Sequence, residues 1–170
     1  NRGDKPWDKE WARSLIRAFK AMGWNSCRYC IGFPPEIWYE VADEEGLLIQ
    51  DEYPVWGLGK RAPEKLDVDM LADCYRHWMR ERWNHPCVYM WDAQNETAGP
   101  NKATTGKALS LVRDIDLQDR SWDNGWGKPQ RPTDTLEMHP YFFRKTPKTL
   151  QEFGEQEPLT DSHPIVINEY

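Results

Sequence analysis

The chain has 170 residues and a formal net charge of −6, with 22 Lys and Arg against 28 Asp and Glu. That is one domain's worth of chain, and its acidic balance, with no long basic run, argues against nucleic acid or an anionic membrane surface as partner. No apolar stretch approaches the ~20 residues of a membrane span.

The elements alternate. Apolar positions at Trp11, Leu15, Ala18, Phe19 and Met22 predict a helix over 7–22, with Gly23 suited to a left-handed C-cap. Residues 25–31 read as a strand. Residues 35–45 form a second helix pattern, with Pro35 near the first turn and Gly46 just past the end. Residues 47–52 are an apolar run turning acidic, a buried strand. A helical stripe over 66–83 carries Leu71, Tyr75, Trp78 and Met79. Asn84-His85-Pro86 then turns the chain into a strand that runs toward Glu96. A shorter helix is expected over 105–113, and a short strand with an extended loop over 114–131. Strands over 135–141 and 165–169 complete the series.

Six strands and at least four helices in a β-then-α rhythm predict an α/β fold with a parallel sheet. A closed barrel takes roughly 250 residues, so the chain reads as the middle of a (β/α)8 TIM barrel, incomplete, occupying 1–170 as part of one catalytic domain. An open doubly wound sheet is the runner-up, but it would want a Gly-rich phosphate loop after its first strand. Gly57-Leu58-Gly59 is too short for that and reads as a flexible loop. The start at Asn1-Arg2-Gly3 looks cut from something longer and carries no address; a secreted or periplasmic location is compatible with it. The four cysteines include Cys27-Arg28-Tyr29-Cys30, the spacing of half a zinc knuckle or a redox motif. Residues three apart on a strand face opposite ways, and no second pair exists, so neither metal nor redox chemistry is expected there.

The chemistry centres on two carboxylates. Val88-Tyr89-Met90-Trp91-Asp92-Ala93-Gln94-Asn95-Glu96 and Pro164-Ile165-Val166-Ile167-Asn168-Glu169-Tyr170 each carry an apolar run to an Asn-Glu pair. Barrel strands present catalytic groups at their C-terminal ends, and two carboxylates are what glycosidic bond cleavage requires. A lone Glu of this kind more often faces solvent or an ion pair; two together favour catalysis by Glu96 and Glu169. Asp51 and Glu52 also end a strand and compete for a role, as sugar contacts or as a structural ion pair. His139 is a candidate pocket residue, whereas His77, His85 and His163 read as structural. Ten Trp, seven Tyr and five Phe exceed ordinary core needs and suit stacking on pyranose faces. Trp91, Trp122 and Trp126 are the candidate platforms, with the other tryptophans assigned to the core.

These motifs, in order, resemble glycoside hydrolase family 2, the β-galactosidase, β-glucuronidase and β-mannosidase group. Met22-Gly23-Trp24-Asn25-Ser26-Cys27-Arg28 is similar to the family's second barrel strand with its Asn-x-x-Arg. Glu36-Ile37-Trp38-Tyr39-Glu40 through Asp51-Glu52 looks like the next helix and third strand. Asn84-His85-Pro86-Cys87 leading to Asn95-Glu96 resembles the fourth, and Ile167-Asn168-Glu169-Tyr170 the seventh. The resemblance implies strands two to seven of the barrel, with flanking strands and β-sandwich domains outside this chain. It implies Glu96 as general acid/base, Glu169 as nucleophile, Asn95 on the sugar 2-hydroxyl, Arg28 keeping Glu169 ionised and Tyr141 donating a hydrogen bond to Glu169. It further implies a retaining hydrolase that removes a terminal sugar from an oligo- or polysaccharide, with a glycoside substrate as partner and no cofactor or metal. Two departures touch specificity: Ile31-Gly32-Phe33-Pro34 replaces a His-Tyr-Pro-like turn, and Asp92 stands where a small residue is usual. The alternatives are an inactive carbohydrate-binding relative and, less favoured with four scattered His, a metal-dependent barrel hydrolase.

Overall fold

The computed structural model describes residues 3–57, 65–139 and 162–169. Helix α1 (Lys9–Ala21) starts at Asp8, whose carboxylate accepts the N–H groups of Glu10 and Trp11, satisfying donors with no helical partner. Helix α2 (Ile37–Glu45) stops at Gly46, which takes the left-handed conformation that closes helices. Helix α3 (Val68–Arg82) is capped by Asp67 on the Met70 N–H and carries Arg80 and Arg82 against its C-terminal dipole. Helix α4 (Asn101–Ser110) begins earlier than the apolar pattern predicts. Its first turn is buried through polar residues instead, with the Asn101 side chain accepting the Leu66 N–H.

Strands β1 (Ser26–Tyr29), β2 (Leu48–Glu52), β3 (Val88–Asp92) and β4 (Ser121–Asp123) pair in parallel in chain order. Strands β5 (Leu136–Met138) and β6 (Ile165–Ile167) form a second parallel pair, and a parallel bridge between Asp123 and Thr135 links the two sets. The described strands thus make an open barrel arc, all with C-terminal ends on one side. Several strands are shorter than expected. β3 stops at Asp92, so Glu96 stands beyond it in a turn; β4, the short strand expected within 114–131, carries Trp122 into the sheet. Residues past His139 in the fifth strand pattern lie outside the described residues, as do residues 58–64.

Alternation along each strand separates two environments. Tyr29, Ile49, Asp51, Trp91 and Trp122 face the helices; Arg28, Gln50, Glu52, Asp92, Asp123 and Glu137 meet one another inside the arc. A bulge preserves this: Ile49 pairs with Val88 but Gln50 with Met90, leaving Tyr89 as the extra residue. Without it Trp91 would turn inward. The aromatic excess goes largely to the helix side. Trp78 of α3 packs edge-on against Trp91 with ring centres 5.0 Å apart, and Tyr75 and Trp122 complete the cluster. Their polar edges are mostly occupied, Tyr75 donating to the Ala93 carbonyl and Trp91 to Asp116, as buried Tyr and Trp require.

Candidate active site

Inside the arc the chain concentrates carboxylates around one cation. Arg28 of β1 donates to Glu137 of β5 at 3.1 Å and to Glu169 beyond β6 at 2.7 Å, and lies 3.4 Å from Glu52. Gln50 bridges Asp92 and Asp123, and Asn168 donates to Asp123 and Glu137. Burial alone would disfavour the Arg28 charge, but Glu52, Asp92 and Glu169 outweigh it and hold the guanidinium above its ordinary value. Burial pushes Asp92 and Asp123 well above the carboxylate range, reinforced by the charges of Asp123, Glu137 and Glu52 on Asp92 and of Glu137 on Asp123. Glu52 is raised for the same first reason, though Arg28 and the Ile31 N–H pull it back.

Glu96 sits at the arc's C-terminal end in a tight turn. Its φ of 46° is left-handed, a conformation that costs a non-glycine residue roughly 1–3 kcal/mol. The fully buried Gln94 side chain holds the turn, accepting the Thr97 N–H at 2.9 Å and donating to the Asn124 carbonyl at 2.7 Å. The loop after β2 runs alongside, with the Asn95 N–H on the Val55 carbonyl and the Ala98 N–H on that of Gly57. Glu96 itself meets His139 Nδ1 at 3.2 Å through Oε1 and Trp56 Nε1 at 3.2 Å through Oε2.

His139 links the two parts of the site. Its Nε2 meets Glu137 at 2.7 Å, while Nδ1 faces Glu96 and lies 3.7 Å from Glu169. Burial opposes its positive charge, yet Glu137, Glu96 and Glu169 together raise its pKa above the ordinary value. One donor atom each from Glu96, His139 and Glu169 lie within 4.8 Å of one another. Asp92, Asp123 and Glu137 form a second such trio and Asp43, His85 and Cys87 a third, each compact enough for a metal ion. Hydrogen bonds also join the first two, through His139 to Glu96 and through Gln50 and Asn168 to Asp92, Asp123 and Glu137.

The predicted site residues divide. Arg28, Glu52, Asn95, Glu96, His139 and Glu169 come together. Glu52 is fully buried and accepts the N–H of Ile31, held at φ 52°, so it supports the wall of the site. Asn95 is 2% exposed and its Oδ1 has no hydrogen-bond partner among the described residues. Trp126 stands beside His139 with ring centres 6.3 Å apart. Asp51, Trp91 and Trp122, expected as sugar contacts, lie on the helix side with exposures of 0%, 0% and 1%. Strand parity explains this: each neighbours an inward residue. Asp51 accepts from Tyr39 and Trp78, and burial pushes its pKa up to about 6. Tyr141 lies outside the described residues. The sequence reading missed Trp56, assigned to the core but 49% exposed, and also Gln94 and Glu137. Their positions at or just past strand ends were the available signal.

Residues 5–170 match the family described as glycosyl hydrolases family 2, TIM barrel domain. A putative β-glucuronidase of Formosa agariphila is 31% identical over 63% of this chain, and a β-galactosidase of Pectobacterium atrosepticum 32% identical over 53%. This chain spans only 11% and 9% of their respective lengths. Among solved structures, a family 2 β-galacturonidase from Eisenbergiella tayi bound to galacturonate superposes with a TM-score of 0.73 and 22% identity. The match covers 94% of this chain and 32% of that one. A Ruminococcus gnavus β-glucuronidase in complex with a C6-substituted uronic isofagomine gives 0.69 and 19%, over 92% and 31%. At these identities the superpositions speak for the fold. The family match, over nearly the whole chain, decides membership: this chain belongs to glycosyl hydrolase family 2, within its TIM-barrel domain.

Proposed function

We propose that the protein is a retaining β-glycosidase, with Glu169 as nucleophile and Glu96 as general acid/base, removing a terminal sugar from a glycoside or oligosaccharide. One observation carries the reading. A carboxylate oxygen of Glu96 and one of Glu169 lie within 4.8 Å of each other. Retaining enzymes hold the two carboxyl groups about 5–5.5 Å apart, whereas inverting ones need roughly 6.5–9.5 Å to admit water.

In the first step a Glu169 oxygen forms a bond to the anomeric carbon, the glycosidic C–O bond breaks, and Glu96 gives its proton to the departing oxygen. In the second step water attacks the same carbon, Glu96 takes the water's proton, and Glu169 leaves as a carboxylate. Arg28, 2.7 Å from Glu169, favours its ionised form before attack and after release. His139 fits between the carboxylates as a fixed donor, oriented through Glu137. Asn95 has the amide suited to the sugar 2-hydroxyl. The relatives' names point to a β-linked galactose or hexuronic acid as the sugar.

The test uses the full-length protein on 4-nitrophenyl β-galactoside, β-glucuronide and β-galacturonide. Glu169→Ala should abolish turnover of the sugar that is cleaved, and azide should partly restore it as the glycosyl azide. Full activity in that variant would sink the nucleophile assignment. No hydrolysis of any glycoside by the unaltered protein would favour a sugar-binding relative instead.

A further inference from the structure

The Trp56 ring has no role in the two-carboxylate scheme, yet its position is fixed more firmly than an incidental loop residue requires. It lies beyond β2 and makes a parallel bridge with Asn95, next to Glu96. The backbone bonds from Asn95 to Val55 and from Ala98 to Gly57 lock the two loops side by side on either side of the ring. Its indole N–H donates to Glu96 Oε2 at 3.2 Å, while His139 occupies Oε1. The residue nevertheless keeps 49% of its surface exposed, and no aromatic ring among the described residues stacks on it. A large apolar face is thereby held open with its polar edge anchored on a carboxylate.

Which part of a substrate meets that face follows from the chemistry of Glu96. Resting on the proposed glycosidase reading, Glu96 protonates the departing oxygen, so the oxygen of the leaving group must approach the Glu96 carboxyl. Glu169 attacks from the other side of the anomeric carbon, and Arg28, which holds Glu169, stands on that side of the site. A ring bonded to Glu96 and open to solvent therefore borders the space of the leaving group, not that of the sugar being attacked. Flat apolar faces of Trp suit the C–H face of a pyranose or an aromatic ring.

We infer that Trp56 forms a leaving-group subsite: its indole face stacks on the ring, preferably a pyranose, from which the terminal sugar is cut, while its N–H holds Glu96 in line with the departing oxygen. The two functions separate in variants. Trp56→Phe keeps a face and removes the N–H; Trp56→Ala removes both.

The experiment compares three substrates that share the sugar cleaved by the full-length protein: its methyl glycoside, its 4-nitrophenyl glycoside and a disaccharide. Trp56→Ala should raise KM for the disaccharide about tenfold or more and leave KM for the methyl glycoside within twofold. Trp56→Phe should restore most of the disaccharide KM while lowering kcat for the methyl and sugar leaving groups alike. A rise confined to the 4-nitrophenyl glycoside would reassign the face to aromatic leaving groups and overturn the pyranose preference. Equal losses on all three substrates in Trp56→Ala, with the same KM pattern in Trp56→Phe, would reduce Trp56 to a structural residue and overturn the subsite. That outcome leaves the glycosidase reading standing; absence of any hydrolysis in the unaltered protein removes both.

Discussion

Two histidines in this chain make nearly the same contacts at opposite ends of the strands. His85, just before β3, holds Asp43 at 2.6 Å through Nδ1 and Glu36 at 2.7 Å through Nε2. His139, just after β5, holds Glu137 at 2.7 Å and Glu96 at 3.2 Å. Both have pKa values raised by their carboxylates against the opposing effect of burial. Their surroundings differ. His85 ties α2 to the turn between α3 and β3, with Arg82 bonded to the same Glu36 and lying over the Tyr39 ring. His139 faces the Glu96 and Glu169 pair. A carboxylate–His–carboxylate arrangement is therefore not by itself a site; in a parallel barrel the C-terminal ends carry chemistry and the N-terminal ends carry stability.

The sharpest way to break this contrast is to remove the cation at the end proposed for catalysis. Arg28→Met leaves Glu52, Glu137 and Glu169 without their common partner. Breaking a buried ion pair in this way costs about 3–5 kcal/mol, so denaturant unfolding should show a loss of that order and turnover should vanish. An unchanged midpoint would mean that the carboxylates take up protons and need no cation.

The paired substitution His139→Gln and His85→Gln sets the two ends against each other. His139→Gln should lower kcat by roughly 10²-fold, the cost of a misplaced reacting group, with little change in folding. His85→Gln should do the reverse, losing about 1–2 kcal/mol of stability with kcat per folded molecule unchanged. Similar kinetic losses in both variants would erase the division between the ends.

The smallest expected effect is in pH. The folded-state pKa of His85 is raised above an unfolded value of about 6.5. Its contribution to stability is then complete below about 6.5 and is lost as pH rises through the folded value. The groups facing it are Asp43, Glu36, Cys87, the Tyr39 ring and, across Glu36, Arg82. The gap in unfolding free energy between the unaltered protein and His85→Gln should therefore narrow from pH 6 toward pH 9. A gap that widens would mean that His85 is held neutral between its carboxylates.

Much of the architecture was written locally. Gly23 and Gly46 mark helix ends, and the spacing of apolar residues separates helix from strand, because capping and periodicity act within a few residues. The same holds for Glu96 and Glu169, each announced by an Asn at the end of an apolar run. Strand parity was harder to read. Asp51 and Glu52 are adjacent and alike in sequence, yet one bonds Tyr39 and Trp78 among the helices and the other faces Arg28 inside the arc. A one-residue bulge at Tyr89 decides where Trp91 points, and no local pattern announces it. Sequence alone determined the order of elements, the family motifs and the two Asn-Glu pairs proposed for catalysis. Only tertiary structure decided that Trp56 borders Glu96, that Glu137 aims His139 and that most of the aromatic rings fill the core. These depend on which residues distant in the chain share a face of the sheet, and that is settled by packing across strands.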